Sequence, residues 1–204
     1  MSLRLTANPL NQIEEVERQL YKLAESGRND TGFQRFGQAL AAAVDMAGRA
    51  YLRDGKLSGL ATGLPALDAD MGGLQPSDLI ILAGRPGMGK TALATNIAYN
   101  VAKAWRGERR ADGHMATLDG GIVGFFSLEM SAEQLATRII GEQTAIPANK
   151  IRRGDFKERD YEKIKQTSTE LQNLPLYVDQ TGGLSIGQLT ARARRLSVSV
   201  GLTS

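Results

Sequence analysis

"GRPGMGKT", residues 84–91, is the stretch on which the reading of this chain turns. Three glycines, a proline, a lysine and a threonine share eight positions, directly behind the apolar run "LIILA". Glycine and proline punctuate ordinary surface turns, but a surface turn requires neither Lys90 nor Thr91, nor an apolar-periodic helix starting there. GxxxxGK[ST] between an expected strand and an expected helix is the setting of a phosphate-binding loop. Gly84 and Gly89 bracket the loop and Gly87 adds freedom inside it, so backbone N–H groups can turn inward toward phosphate oxygens. The helix opening near Lys90 adds its partial positive end. Lys90 supplies a full charge to the β- and γ-phosphates, and the Thr91 hydroxyl is the expected Mg²⁺ ligand. With Met88 and Ala92, these residues form the expected binding set for ATP and Mg²⁺.

Outward from the loop, strands and helices alternate. "DLIILA" reads as a buried strand before the loop. Thr91 to about Trp105 reads as a helix with Leu93, Ala94, Ile97, Ala98 and Val101 facing inward. "RGERRADGHMATLDGG" reads as a long polar loop, "IVGFFSL" as a second buried strand, and "SAEQLATRIIGEQT" as a helix opened by the capping pair Ser131 and Gln134. Residues 145–155 read as loop, "RDYEKIKQTSTELQN" as a helix and "LPLYVD" as a third strand. Ser185 and Gln188 cap a last helix, "IGQLTARARRL". This alternation predicts an α/β fold with a largely parallel sheet. Upstream, Ile13, Val16, Leu20 and Leu23 predict a helix over residues 11–25, stopped by "SGRND". A further helix over 34–52 is expected to bury Phe36, Leu40, Val44, Ala47 and Tyr51. "GKLSGLATGLPALDADMGGLQPSD" reads as an irregular connection with one small helical turn.

Bulk properties narrow the class. The chain has 204 residues, no cysteine and a formal charge of +3, which leaves room for a real core and excludes a disulfide framework or thiolate metal site. It has no run of apolar residues long enough for a membrane span, and its first residues lack a signal-peptide core. A cytoplasmic protein without a membrane partner is expected. The mild positive charge permits a nucleotide or nucleic-acid partner without demanding one.

The second chemical clue is "GFFSLEMS". Glu129 falls at the carboxyl end of a buried strand, where ligands of open α/β sheets lie. Its carboxylate is expected to face the phosphates and polarise an attacking water. The other candidates are weaker. His114 is the lone histidine, in a polar Gly-containing loop, and reads as solvated. "KIRRGDFKERDYEKIK" mixes charge signs, which marks a solvated face. Arg192, Arg194 and Arg195 read likewise, and Tyr99 and Trp105 read as packing.

"ATGLPALDADMGGLQPSDLIILAGRPGMGKTALATNIA", "FFSLEMS" and "PLYVDQTGGLSIGQLTARARRL" together resemble the DnaB-type replicative DNA helicases. The resemblance runs from about Ile13 to Leu196 and takes in "QIEEVERQLYKLAE", which is similar to that family's linker helix. It implies a RecA-like motor fold, a homo-oligomeric ring hexamer, and ATP-driven unwinding of duplex DNA at the replication fork. Lys90 and Thr91 are then the phosphate-loop residues and Glu129 the catalytic glutamate, with Lys90 assisting. Single-stranded DNA, a primase and a helicase loader are the implied partners. On this reading residues 1–32 are linker helix and hinge, and 33–204 are the N-terminal part of the motor domain, truncated at its C-terminal side. The family's primase-interacting domain, Mg²⁺-supporting aspartate, glutamine sensor, DNA-binding loops and arginine finger find no counterpart here. The expectation is therefore nucleotide binding with turnover close to background, weak or absent. Gln180, in "DQT", stands where a second acid is expected. Two other readings are a self-associating nucleotide-binding module without turnover, and another RecA-like ATPase such as a recombinase.

Overall fold

The computed structural model describes residues 19, 35–52, 57–109 and 115–201. In chain order the elements are α1 (Phe36–Leu52), α2 (Pro65–Met71), α3 (Lys90–Lys103), β1 (Arg106–Arg109), β2 (Met115–Asp119), β3 (Val123–Phe126), α4 (Ala132–Thr144), α5 (Ala148–Arg153), α6 (Glu158–Leu171), β4 (Leu176–Asp179) and α7 (Ile186–Ser199). The chain divides into two units, Met1–Lys56 with Leu184–Ser199, and Leu57–Gly183 with Val200–Ser204. Of the helix expected over 11–25 only Gln19 is described, and it is helical; His114 lies outside the described residues. No helix among the described residues is long and apolar enough to cross a membrane.

The first unit holds α1 and α7. α1 forms where its periodicity places it, but its apolar side is open, with Phe36 79% and Tyr51 87% exposed and Leu40 and Val44 also exposed. The expectation of a buried face is not met. Helical spacing records which side is built for burial, but it cannot supply the surface that covers it. α7 opens on the expected reciprocal cap, with Ser185 N–H donating to Gln188 Oε1 and Gln188 N–H to Ser185 Oγ.

The second unit carries the core. Tyr99, Leu135 and Ile139 are buried together, and Phe125, Leu171, Leu174, Leu176 and Val178 pack around them. Three side chains from α3 and α4 thus meet residues of β3, β4 and the end of α6, which is how helix and strand periodicities converge on one interior. Tyr99 keeps its hydroxyl satisfied by donating to Gln143 Oε1 at 2.8 Å. β3 and β4 pair in parallel, with Val123 opposite Leu176 and Phe126 opposite Asp179. The ladder extends one residue further, where Ser127 N–H donates to Asp179 O at 2.8 Å.

Ahead of the phosphate loop, residues 57–75 form a clasp. Leu60 and Leu74 exchange both backbone hydrogen bonds. α2 begins at a proline and ends at Gly72, whose φ of 70° suits glycine. Asp68, 7% exposed, accepts from Thr62 N–H at 2.7 Å, Thr62 Oγ1 at 2.8 Å and Gly63 N–H at 3.2 Å. Burial pushes this carboxyl up, but the donors from Thr62, then Gly63 and Leu64, outweigh it and hold the carboxyl below its ordinary value. Asn100 of α3 donates to Thr62 O at 3.1 Å and ties the clasp to that helix.

Three segments differ from their sequence expectation. Residues 78–83, expected as a buried strand, join no ladder; Leu79 is 86% and Ile81 80% exposed. Apolar composition makes a segment fit for a sheet, but a strand exists only with a hydrogen-bonded neighbour, and none of the described residues pairs with this one. Where a polar loop is expected after α3, the strands β1 and β2 pair antiparallel, with a register shift between Arg106 and Gly107. Gly107 and Gly120 make it possible, since a Cβ on either would stand 2.5 Å and 2.3 Å from atoms of Trp105. Residues 148–153, expected as loop, form the short helix α5, entered through Pro147 and closed by Gly154 at φ 69°.

Candidate nucleotide site

The glycine-rich loop leads into α3, whose N-cap is Gly89 at φ 87°; Gly87 stands at φ 78°. Both values lie in the left-handed region, where only glycine is free of strain. A Cβ at either position would meet nothing within 4 Å. Backbone geometry, not crowding, therefore calls for glycine here. The helix bonds begin with Leu93 N–H to Gly89 O at 2.9 Å. No side chain caps this end, so the first-turn N–H groups stand open to an anion's oxygens.

Lys90 lies back across the loop. Its ammonium donates to Gly84 O at 2.7 Å and Arg85 O at 3.0 Å, which leaves one of its three protons for a ligand. The structure thus brings Gly84, Arg85 and Lys90 together around a loop carrying Gly87, Met88 and Gly89, all exposed. Thr91 and Ala92, half-buried, sit in the first turn of α3. The described residues contain no group of three or more His, Cys, Asp or Glu side chains able to hold a metal. A hydroxyl on an open helix end suits Mg²⁺, which keeps waters and takes phosphate oxygens rather than a full protein cage. These residues fit a magnesium-bound triphosphate.

Glu129 occupies the turn 127–131 between β3 and α4 and is exposed. Buried Ser127 organises this turn, donating from Oγ to Met130 O at 2.7 Å and accepting from Met130 N–H at 3.2 Å. The expected capping pair closes it, with Ser131 N–H on Gln134 Oε1 and Gln134 N–H on Ser131 Oγ. Direction follows from one contact. Gly121 N–H donates to Val101 O at 3.0 Å, so the C-terminal end of α3 meets the entry to β3. α3 therefore runs against β3, and Lys90 and Glu129 belong to the same, carboxyl, end of the sheet. No described hydrogen bond joins Glu129 to the loop itself.

Sequence reasoning passed over Arg85, Ser127 and Gln180 as parts of the site. Arg85 contributes a carbonyl, which any residue carries. Ser127 signals itself only as a hydroxyl at the end of an apolar strand. Gln180 accepts from Ala132 N–H at 2.7 Å, a use that its place in "DQT" does not announce.

Residues 59–203 match the family model described as "DnaB-like helicase C terminal domain". The chain is 39% identical over 185 residues to replicative DNA helicase DnaB of Rickettsia conorii, covering 91% of this chain and 37% of that protein. It is 35% identical over 190 residues to replicative DNA helicase DnaC of Bacillus subtilis, covering 93% of this chain and 38% of that protein. The chain thus spans less than two fifths of the length of these relatives. Its backbone resembles a solved structure described as an ATPase domain, with a TM-score of 0.64, 25% identity, and coverage of 82% of this chain and 54% of the other. It shares its fold with a DnaB-like replicative helicase whose structure is described with its interactions with primase, at a TM-score of 0.66 and 24% identity over 90% of this chain and 41% of that one. The expected RecA-like α/β architecture is therefore the observed one, although the described parallel sheet has only two strands. A phosphate-loop helix, a glutamate turn at the same end of a parallel sheet and a matching family model over most of the length lead to one assignment: this chain belongs to the DnaB-like helicase C-terminal domain family.

Proposed function

We propose that the chain is the ATP-binding part of a replicative DNA helicase, working in the cytoplasm as a ring hexamer around single-stranded DNA at the fork. A primase and a helicase loader are its proposed protein partners. The observation that carries this reading is the uncapped α3 N-terminus with Gly87 and Gly89 in left-handed geometry and Lys90 folded over the loop. Backbone N–H groups of residues 87–92 would hold the phosphates, and Lys90 would neutralise charge on them. Thr91 would hold Mg²⁺, which would supply neutralising charge to the bound phosphates.

Hydrolysis then needs a water aligned with the γ-phosphorus. Glu129, at the carboxyl end of β3, would orient that water and accept its proton. The water oxygen bonds to phosphorus as the bond to the β,γ-bridging oxygen breaks, giving ADP and inorganic phosphate. The test is phosphate release with MgATP, with and without single-stranded DNA, by the chain and its Glu129→Ala variant. Release that exceeds background and falls to it in the variant supports the reading. Release identical in the two overturns Glu129's part.

The exposed apolar residues 79–82 and the open side of α1 favour a second reading, a self-associating module that binds nucleotide without turning it over. Tight MgATP binding with no Glu129-dependent release is the outcome that selects it.

A further inference from the structure

The turn that carries Glu129 has two ends, and both are fastened to the same place. At its start, Ser127 N–H donates to Asp179 O at 2.8 Å. At its finish, Ala132 N–H, the first of α4, donates to Gln180 Oε1 at 2.7 Å. Asp179 closes β4 and Gln180 is the next residue, so two consecutive residues of one strand end grip the far turn on both sides. The hydrogen bonds of Ser127 with Met130 and of Ser131 with Gln134 stiffen the turn internally. They do not fix it to the sheet. The Asp179 contact is backbone to backbone and insensitive to side chain, whereas the Gln180 contact is made by a side chain long enough to cross from β4 to α4.

We infer that Gln180 is a positioning residue for Glu129: its side-chain carbonyl ties the first N–H of α4 to the end of β4 and so holds the glutamate turn at a fixed height over the sheet. The inference rests on the reading of Glu129 as the carboxylate that takes the water's proton. A catalytic group displaced by a fraction of an ångström loses rate without losing substrate, so the loss should show in hydrolysis and not in ATP affinity. Gln180 touches no part of the phosphate loop among the described contacts, which separates the two readouts. The acid expected at this position would also offer an acceptor; the amide supplies one of longer reach than aspartate.

The test uses the full 204-residue chain in excess over labelled ATP with Mg²⁺, following a single turnover, with ATP affinity measured on the same samples. The variants are Gln180→Met, of similar length but without the carbonyl, Gln180→Glu, which restores an acceptor, Glu129→Gln, and the double variant Gln180→Met with Glu129→Gln. Gln180→Met should bind ATP like the wild type and hydrolyse it roughly three- to tenfold more slowly, the range set by one lost hydrogen bond. Gln180→Glu should recover most of the rate, and Gln180→Met should cost nothing further in the Glu129→Gln background. A wild-type rate in Gln180→Met, a proportional fall in affinity and rate, or a loss that persists without Glu129 overturns the inference. A wild-type chain no faster than Glu129→Gln removes Glu129's role, and this inference with it, without involving Gln180. Should Gln180→Met fail to bind ATP at all, Gln180→Asn, which keeps the carbonyl but shortens the reach, carries the same comparison.

Discussion

Lys90 shows how one side chain can serve a loop twice. Two of its protons hold Gly84 O and Arg85 O, so the ammonium braces the loop and keeps one proton for the proposed phosphate contact. Lys90→Ala removes a charge-assisted donor and should weaken MgATP binding by about 2 kcal/mol, read by titration calorimetry; unchanged affinity would place the ligand elsewhere. Asp68 offers a second measurement at this scale. Its carboxyl is held below the ordinary value of 3.8 despite burial, by donors from Thr62, Gly63 and Leu64. A depressed folded pKa contributes stability that is fully present above the unfolded value and disappears as pH falls through the folded one. Melts taken downward from pH 5 should therefore show a loss of stability that is absent in Asp68→Asn, and the variant should be about 2 kcal/mol less stable at neutral pH. The geometry of the 84–91 loop is legible in sequence because it is local: a few consecutive positions and their backbone angles. The contact of Gln180 is not, because its partner is 48 residues away.

Elements divide along the same line. The caps Ser131 with Gln134 and Ser185 with Gln188 sit at the positions their spacing predicts, since a cap involves only four neighbouring residues. Strands were harder. "VGFF" and "LYVD" paired as anticipated, while 79–82, more apolar than either, found no ladder. Sequence reports what a strand would bury; pairing depends on chain far away. The β1–β2 pair was hidden by its polar residues, and the room that Gly107 and Gly120 leave for Trp105 is not a periodic signal. Just ahead of 79–82, Pro76 and Ser77 form a turn closed by Asp78 N–H to Gln75 O at 3.3 Å, with Ser77 at φ 69°. That geometry, proline followed by a residue in the left-handed region, favours glycine at the second position. Ser77→Gly should raise stability by about 1 kcal/mol, seen as a higher melting temperature. A lower one would show that the serine side chain contributes more than its backbone strain costs.

For the molecule as a whole, the open residues 79–82 have a solution consequence. An extended apolar stretch with unpaired backbone groups invites association between chains. Sedimentation velocity should show mass rising with concentration, and Leu79→Lys combined with Ile81→Lys should abolish the rise while MgATP affinity stays as it was. A wild-type chain that remains a monomer at every concentration would contradict this. The last consequence belongs to α3. One end of this helix is the candidate phosphate site; near the other, Asn100 holds Thr62 of the clasp and Val101 holds Gly121. A single helix of 14 residues thus connects the candidate phosphate site to the clasp. Whatever fits the loop will be legible at the far end as slower amide exchange around residues 62 and 121, and as roughly 2.7 kcal/mol of added stability at a hundredfold excess over Kd. The helix is, in effect, a built-in gauge: a screen could find nucleotides and their mimics by warming the protein and watching when it lets go, with no label and no knowledge of the reaction.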